Sequence, residues 1–159
     1  MSWPRFRTLA CFGVVGLFLG CVVYVDDSCD AVQCGENAYC DEGECFCVGG
    51  FDGDPQVSCD PVQSWFVTDF CDDGLDVSWR LFAEGRDWAW PRDGSFVTSG
   101  VNAVDREDIV CLEDEIICIG ATAGDVSWGV ANDGSLGCTD CCFACVSGTV
   151  DFGKLSCAR

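Results

Sequence analysis

Cysteine is the residue type with the greatest chemical potential in this sequence, and its densest cluster lies near the C-terminal end. Cys138 and Cys141 are followed by Cys142 and Cys145, so that two C-x-x-C units stand side by side. Thiolates at this spacing can bind zinc or an iron–sulfur cluster, form a redox pair, or close structural disulfides. The chain has 16 Cys among 159 residues and no His. Because zinc sites often mix Cys with His, and because cytosolic thiols stay reduced, we predict structural disulfides in an oxidising compartment, with no metal and no cofactor.

Tryptophan provides the second set of candidate residues. Trp88 and Trp90 flank Ala89, with Arg86 and Arg92 close by. Exposed indole faces can stack on sugar rings, whereas buried ones fill a core. Trp79 alternates with the apolar residues of its segment, so we place it in the core. Trp88 and Trp90 are our candidates for a ligand-binding edge.

Carboxylates are numerous, but their spacing marks no catalytic pair. Asp and Glu number 27 against 8 Lys and Arg, which gives a formal net charge of −19. The acidic clusters at 69–76 and 113–115 do not match the EF-hand loop, so we interpret them as solvated surface. There is no G-x-S-x-G motif and no phosphate-cradling loop, and we predict that the chain is not an enzyme. The charge also excludes nucleic acid as a partner, because phosphate binding needs Lys and Arg.

The N-terminal segment carries the pattern of an export signal. Arg5 and Arg7 precede an uncharged apolar run from Leu9 to Val25. Its end, Leu17-Phe18-Leu19-Gly20-Cys21, resembles the lipobox of bacterial lipoproteins, although Phe18 and Leu19 depart from the usual residues. The resemblance implies cleavage before Cys21, lipid attachment to Cys21 and a lipid anchor in the membrane. We therefore predict a signal peptide at 1–20 and a tether at 21–28. The alternatives are a soluble secreted protein and an uncleaved single-helix anchor.

Cysteine parity agrees with removal of the leader. Cleavage discards Cys11, and lipidation uses Cys21, which leaves 16 − 2 = 14 cysteines that can all pair. Cleavage just beyond Cys21 would leave the same number. Parity therefore argues against a retained leader more strongly than it argues for lipidation.

The segment 29–59 contains six cysteines spaced C-x4-C-x5-C-x4-C-x-C-x11-C. Cys45-Phe46-Cys47 followed by Gly50-Phe51 and Cys59 resembles the C-x-C-x-x-G-aromatic signature of EGF-like domains. Spacing alone allows fifteen pairings. The family resemblance implies the pairs Cys29–Cys40, Cys34–Cys45 and Cys47–Cys59. The segment between Cys40 and Cys45 is shorter than usual, and the calcium-binding pattern is out of register. Gly43 in that segment predicts a tight hairpin turn.

The remaining residues, 60–159, form a second predicted domain that begins at Asp60-Pro61. Eight cysteines can close it internally, in pairs that the sequence leaves unassigned: Cys71, Cys111, Cys118, Cys138, Cys141, Cys142, Cys145 and Cys157. Period-two alternation from Leu75 to Leu81 predicts a strand. Further short strands are predicted at 95–98, 108–112, 115–119, 125–130 and 148–152.

The whole chain is therefore predicted to be small, disulfide-rich and mainly β. An EGF-like module would be followed by a cysteine-rich antiparallel β sandwich or barrel. We expect a non-enzymatic, membrane-tethered protein of the cell envelope that faces the cell surface or the periplasm. It would act in binding or as a structural and adhesion module, with an unknown protein or glycan as partner. The alternative function is a lectin-like carbohydrate binder that uses Trp88 and Trp90.

Overall fold

The computed structural model describes residues 27–157, and the predicted leader and Cys21 lie outside this range. The described chain is almost entirely β, with one short 3₁₀ helix at Asp27–Cys29. Within it, no helix has the length and apolar character needed to cross a bilayer. The strands are β1 Ala38–Asp41, β2 Glu44–Cys47, β3 Phe51–Asp54, β4 Ser58–Asp69, β5 Ser78–Ala83, β6 Ala89–Trp90, β7 Phe96–Val97, β8 Val104–Val110, β9 Ile116–Ala123, β10 Val126–Gly129, β11 Cys142–Ala144 and β12 Gly148–Leu155.

Residues 29–59 are organised around the β1–β2 hairpin. Its two-residue turn, Glu42-Gly43, has positive φ at both positions, 52° and 87°. This geometry belongs to a type I′ turn, which matches the twist of the flanking strands and favours glycine. Three disulfides hold the segment: Cys29–Cys40, Cys34–Cys45 and Cys47–Cys59. The EGF-like resemblance implies the same pairs, and the assignment to that family stays a prediction.

The longest strand, β4, organises the sheet that follows. It pairs antiparallel with β3 through residues 58–61 and antiparallel with β8 through residues 62–68. It also pairs with β12, and these two strands run parallel. Every second residue of β4 is buried. The strand runs without a break through Asp60-Pro61, where the sequence predicts the start of a second domain.

The second large sheet has six strands, in the order β10-β9-β5-β6, with β11 also pairing β9 and β7 also pairing β5. The two large sheets share one core. Trp65 and Val67 come from β4, while Trp79, Leu81 and Ile119 come from the six-stranded sheet, and all five are 0 % exposed. The mainly β, disulfide-rich fold is thus confirmed. Among the described strands, β12–β4 is the one parallel pair, and it departs from the antiparallel arrangement that we expected.

The core position predicted for Trp79 is also confirmed. Its indole N–H donates a hydrogen bond of 2.8 Å to Asp105 Oδ2 on β8, which links the two sheets. Its ring lies 4.7 Å from that of Phe96, measured between centroids. Leu75, which the alternation assigned to the same strand, is about half exposed and precedes the first residue of β5.

Four further bridges close the part after Asp60: Cys71–Cys157, Cys111–Cys145, Cys118–Cys142 and Cys138–Cys141. With the first three, all 14 cysteines of the described range are paired. The two abutting C-x-x-C units are therefore divided among three bridges. One of these joins the ends of the first unit. The other two tie the second unit to Cys111, directly after β8, and to Cys118 on β9.

Candidate functional site

The candidate binding residues lie on the outer edge of the six-stranded sheet. β6 pairs only with β5, where Trp90 faces Leu81 and Ala89 faces Phe82. The Ala83 N–H also donates a 3.0 Å hydrogen bond to the Trp88 carbonyl, which extends this contact beyond β6. The backbone on both sides of the two tryptophans is thus held to a central strand.

Alternate residues along this edge form a stack that we call the Arg–Trp ladder: Arg86, Trp88, Trp90 and Arg92. The Arg92 guanidinium carbon lies 4.2 Å from the Trp88 ring centroid. The Arg86 guanidinium carbon lies 5.0 Å from the Trp88 centroid and 5.5 Å from that of Trp90. The two indoles meet edge to face, with centroids 6.4 Å apart. Cation–π attraction of this kind is strongest for tryptophan.

A buried carboxylate fixes one end of the ladder. Arg86 donates two hydrogen bonds to Glu115 through Nε and Nη2, and the second measures 2.8 Å. The Glu115 side chain is 7 % exposed, so the pair is shielded from solvent on that side. A bidentate Arg–carboxylate contact restricts the guanidinium plane, which holds Arg86 against both indoles.

A third arginine supports the other end. Arg80 on β5 donates from Nη2 to the carbonyls of Pro91 and Arg92, at 3.1 and 3.4 Å. Its guanidinium carbon also lies 5.4 Å from the Phe82 ring centroid. Arg92 donates from Nη1 to the carbonyl of Asp87, at 3.1 Å. The backbone that carries Arg92 is therefore held in place by a neighbouring strand.

Positive charge is concentrated at this edge. Residues 27–157 contain five basic side chains, and three of them, Arg80, Arg86 and Arg92, belong to the ladder or contact it. Arg86 pairs with Glu115, whereas Arg80 and Arg92 form no ion pair with any carboxylate of the described chain. Three of the five basic side chains of residues 27–157 thus lie together at this edge, with the acidic Asp87 and Asp93 as sequence neighbours of Trp88 and Arg92.

The ladder changes the chemistry expected of the tryptophans. Trp88 is 38 % exposed, but two guanidinium groups lie over its ring. Trp90 is half-buried and packs against the core. The surface therefore exposes mainly guanidinium groups that lie against indole rings. It exposes open indole faces to a lesser extent. The tryptophans and the one-sided stack are indicated by the alternation of Arg and Trp from 86 to 92. Nothing in the sequence marks Arg80 and Glu115 as parts of the same site.

The other polar clusters have structural explanations. Asp69 is fully buried, and it accepts hydrogen bonds from the Cys71 N–H at 2.9 Å and the Thr98 hydroxyl at 3.2 Å. Within residues 27–157, one trio of potential metal ligands lies within 4.8 Å, namely Cys71, Asp73 and Cys157. Cys71 and Cys157 are joined in a disulfide, so their sulfur atoms are not thiolates available to a metal.

One hydroxyl–carboxylate pair lies on the other sheet. Ser64 donates to Asp108, and Arg106 donates to both, at 3.1 Å to the Ser64 hydroxyl. The hydrogen bond from Ser64, followed by that from Arg106, lowers the pKa of Asp108 below its ordinary value. A carboxylate with a lowered pKa is a weak general base near neutral pH. On the neighbouring Glu107, partial burial and then the nearby acids Asp105 and Asp108 raise the pKa.

An open cleft of about 370 Å³ lies beside β9 and β10 and is lined in part by Thr122, Ser127, Asn132 and Asp133. A hydrogen bond from Ser135 lowers the pKa of Asp133. The lining is rich in hydroxyl and amide groups.

Comparison with known proteins gives no relative from which to transfer a function: no family model, no curated protein and no solved structure matches this chain.

Proposed function

We propose that this chain is a non-enzymatic, exported protein, tethered to the membrane by a lipid on Cys21, that acts in binding or as a structural and adhesion module at the cell surface. The observation that carries the proposal is the Arg–Trp ladder on a covalently closed β scaffold. Seven bridges in 131 described residues make a rigid support, and such density is typical of exported proteins.

The chemistry of the polar groups supports a binding role over catalysis. The hydroxyl of Ser64 is hydrogen-bonded to a carboxylate whose pKa is lowered, which is opposite to the tuning that a general base needs. The buried Asp69 and Glu115 are both committed to contacts within the fold. The ladder, in contrast, has partly exposed side chains with unused hydrogen-bond donors.

In this proposal, residues 29–59 form an EGF-like module that acts as a stiff spacer. Between Cys21 and Cys29 the chain advances eight residues, which span at most about 28 Å when fully extended. The folded part would therefore stay close to the membrane. A secreted protein without the lipid is the alternative location.

Carbohydrate binding is the second candidate function, and the exposed part of Trp88 favours it. Aromatic side chains at a surface offer apolar area to a sugar ring. In this alternative the ladder residues, Trp88 and Trp90 above all, would form the contact with a glycan.

The tether is tested by intact-mass measurement of the mature protein recovered from membranes of a bacterial host. We expect an N-terminal Cys21 that carries the mass of a lipid, and release of the Cys21→Ser variant from the membrane fraction. Cys11→Ser is the matched control, since residue 11 would be removed with the leader and should change nothing. A mature chain that begins after Cys21, or one that keeps residues 1–20, would contradict the proposal.

A further inference from the structure

Two of the four arginines in residues 27–157 have carboxylate partners, and two do not. Arg106 on β8 contacts Asp108 at 3.1 Å, and Arg86 contacts Glu115. Arg80 and Arg92 lack such a partner in residues 27–157, although the chain contains 27 acidic residues. Neither guanidinium group is therefore engaged by a carboxylate, although Asp87 and Asp93 lie near Arg92 in the sequence.

The positions of these two groups are fixed by the fold. Arg80 is bonded to the carbonyls of Pro91 and Arg92, so its charge lies against the backbone that carries Arg92. Arg92 uses Nη1 for the Asp87 carbonyl and rests on the Trp88 ring. A guanidinium has five N–H donors, so Arg92 keeps donors for an external acceptor. Holding a guanidinium over an indole also reduces the entropy lost when it binds a ligand.

We propose that Arg92, supported by Trp88 and by the charge of Arg80, binds the carboxylate of an acidic sugar in a surface or matrix polysaccharide. This inference rests on the binding role proposed above and specifies its ligand. Guanidinium and carboxylate match each other in bidentate geometry.

Two other ligand classes fit the edge less well. A neutral sugar would need an open indole face, and guanidinium groups lie over the ring of Trp88. An acidic peptide that adds a strand would need a free run of backbone donors and acceptors. β6 offers only Ala89 and Trp90 before Pro91, which has no N–H, so such a peptide would find almost no strand to pair with.

The net charge of −19 does not prevent this contact. At an ionic strength near 0.1 M the Debye length is about 10 Å, so carboxylates farther away are largely screened at the ladder. A short sugar acid would meet the guanidinium groups with Asp87 and Asp93 near them, whereas a long polyanion would also approach the more distant acidic surface. Trisaccharides are therefore better probes than polymers.

The test is calorimetric titration of the full mature protein in detergent with trisaccharides of galacturonic acid, of alginate and of sialic acid. The methyl ester of each keeps the sugar and removes the charge. We expect at least one acid to bind and its ester to bind roughly tenfold or more weakly, the scale of a charge-assisted hydrogen-bond pair. Arg92→Gln should weaken binding of that acid by about the same factor. Arg106→Gln, the matched control on the other sheet, should change affinity less than about twofold.

Four results would overturn the inference: no binding of any acid, equal binding of acid and ester, equal binding of a glutamate trimer, or unchanged affinity in Arg92→Gln. Because Arg92 is an exposed side chain, circular dichroism of the variant should match that of the parent protein. Equal binding of acid and ester would leave the proposed binding function standing with a neutral glycan as ligand. Failure of the proposed tether would appear separately, in the intact mass.

Discussion

Removal of the Cys71–Cys157 bridge should destabilise the protein far more than removal of the Cys138–Cys141 bridge. The first joins residues separated by 86 positions, and the second joins residues separated by 3. The two sites are otherwise well matched. Cys71 is 2 % exposed and Cys141 is 1 % exposed, and each has a half-buried partner. Replacing both members of either pair with Ala therefore removes a similar amount of buried sulfur.

The expected difference follows from the entropy of loop closure in the unfolded chain. With the sequence separations as loop lengths, the chain-entropy relation gives about 4.6 kcal/mol for Cys71–Cys157 and about 1.6 kcal/mol for Cys138–Cys141 at 25 °C. The difference of about 3 kcal/mol is a large part of the roughly 5–15 kcal/mol that stabilises a typical domain. Loss of packing contributes to both variants and largely cancels in the comparison.

The assay is equilibrium unfolding in guanidinium chloride without reductant, followed by far-ultraviolet circular dichroism and tryptophan fluorescence. Cys71→Ala/Cys157→Ala should lose about 3 kcal/mol more free energy of unfolding than Cys138→Ala/Cys141→Ala. The two probes should give coincident transitions, as two-state unfolding requires. A difference below about 1 kcal/mol, or the reverse order, would refute the loop-length argument for these bridges.

Two further predictions concern single carboxylates. Asp69→Ala should lower the free energy of unfolding by about 2–4 kcal/mol, because it leaves a buried backbone N–H and a buried hydroxyl without an acceptor; thermal unfolding measures this. Ser64→Ala should raise the pKa of Asp108 towards its ordinary value, because the largest cause of the lowering is removed; carboxyl NMR during a pH titration measures this. A lowered pKa in the folded state stabilises the fold above the unfolded pKa, and that contribution is lost as the pH falls through the folded pKa, so Ser64→Ala should reduce this acid dependence.

Each of these two predictions has a control within the chain. Asp72→Ala removes an exposed carboxylate three residues after Asp69, and it should change stability by less than about 0.5 kcal/mol. Asp133, whose pKa is lowered by Ser135 and not by Ser64, should titrate alike in the parent and in Ser64→Ala. Equal stability of the Asp69 and Asp72 variants, or a shift of Asp133 alone, would contradict these arguments.

Residue types alone predicted the fold class and several local features, because these depend on short-range chemistry. Cysteine density predicted a bridged β fold, Gly43 predicted the hairpin turn, and period-two alternation placed Trp79 in the core. β4 was missed for a physical reason. Its buried face includes the polar Gln63 and the acidic Asp69, so hydrophobicity does not alternate along it. Burial does alternate along the whole of β4. Polar side chains can lie on its inner face because their hydrogen-bond partners come from distant parts of the chain.

The pairing of the last eight cysteines depends on the tertiary structure in the same way. Eight cysteines allow 105 pairings, and their spacing does not choose among them. The structure shows why the adjacent Cys141 and Cys142 take different partners. Cys142 is the first residue of β11, whereas Cys141 lies in the bend directly before that strand. Cys142 lies opposite Cys118 in the β11–β9 register and bonds to it, whereas Cys141 is buried and bonds to Cys138.

The Arg–Trp ladder shows both what the local sequence can predict and what it cannot. The alternation of Arg and Trp from 86 to 92 can be seen in the sequence, and it predicts that the four side chains share one side. Glu115, which anchors Arg86, enters from the turn before β9, and Arg80 enters from β5. These two contacts decide which guanidinium is neutralised and which stays available. Local sequence therefore locates the edge, but only the assembled sheet determines its ligand chemistry.

The continuous strand through Asp60-Pro61 limits how residues 29–59 can move relative to the edge that carries the Arg–Trp ladder. The predicted domain boundary lies within the first third of β4. Next to it, Cys59 is bridged to Cys47 and the Val62 N–H donates to the Gly50 carbonyl at 2.8 Å. In addition, the Cys111 N–H donates to the Pro61 carbonyl at 3.1 Å. A swing of residues 29–59 about this point would break backbone hydrogen bonds in the sheet, each costly to leave unmade. In the proposed tethered protein, the ladder would therefore keep one fixed orientation relative to the first module.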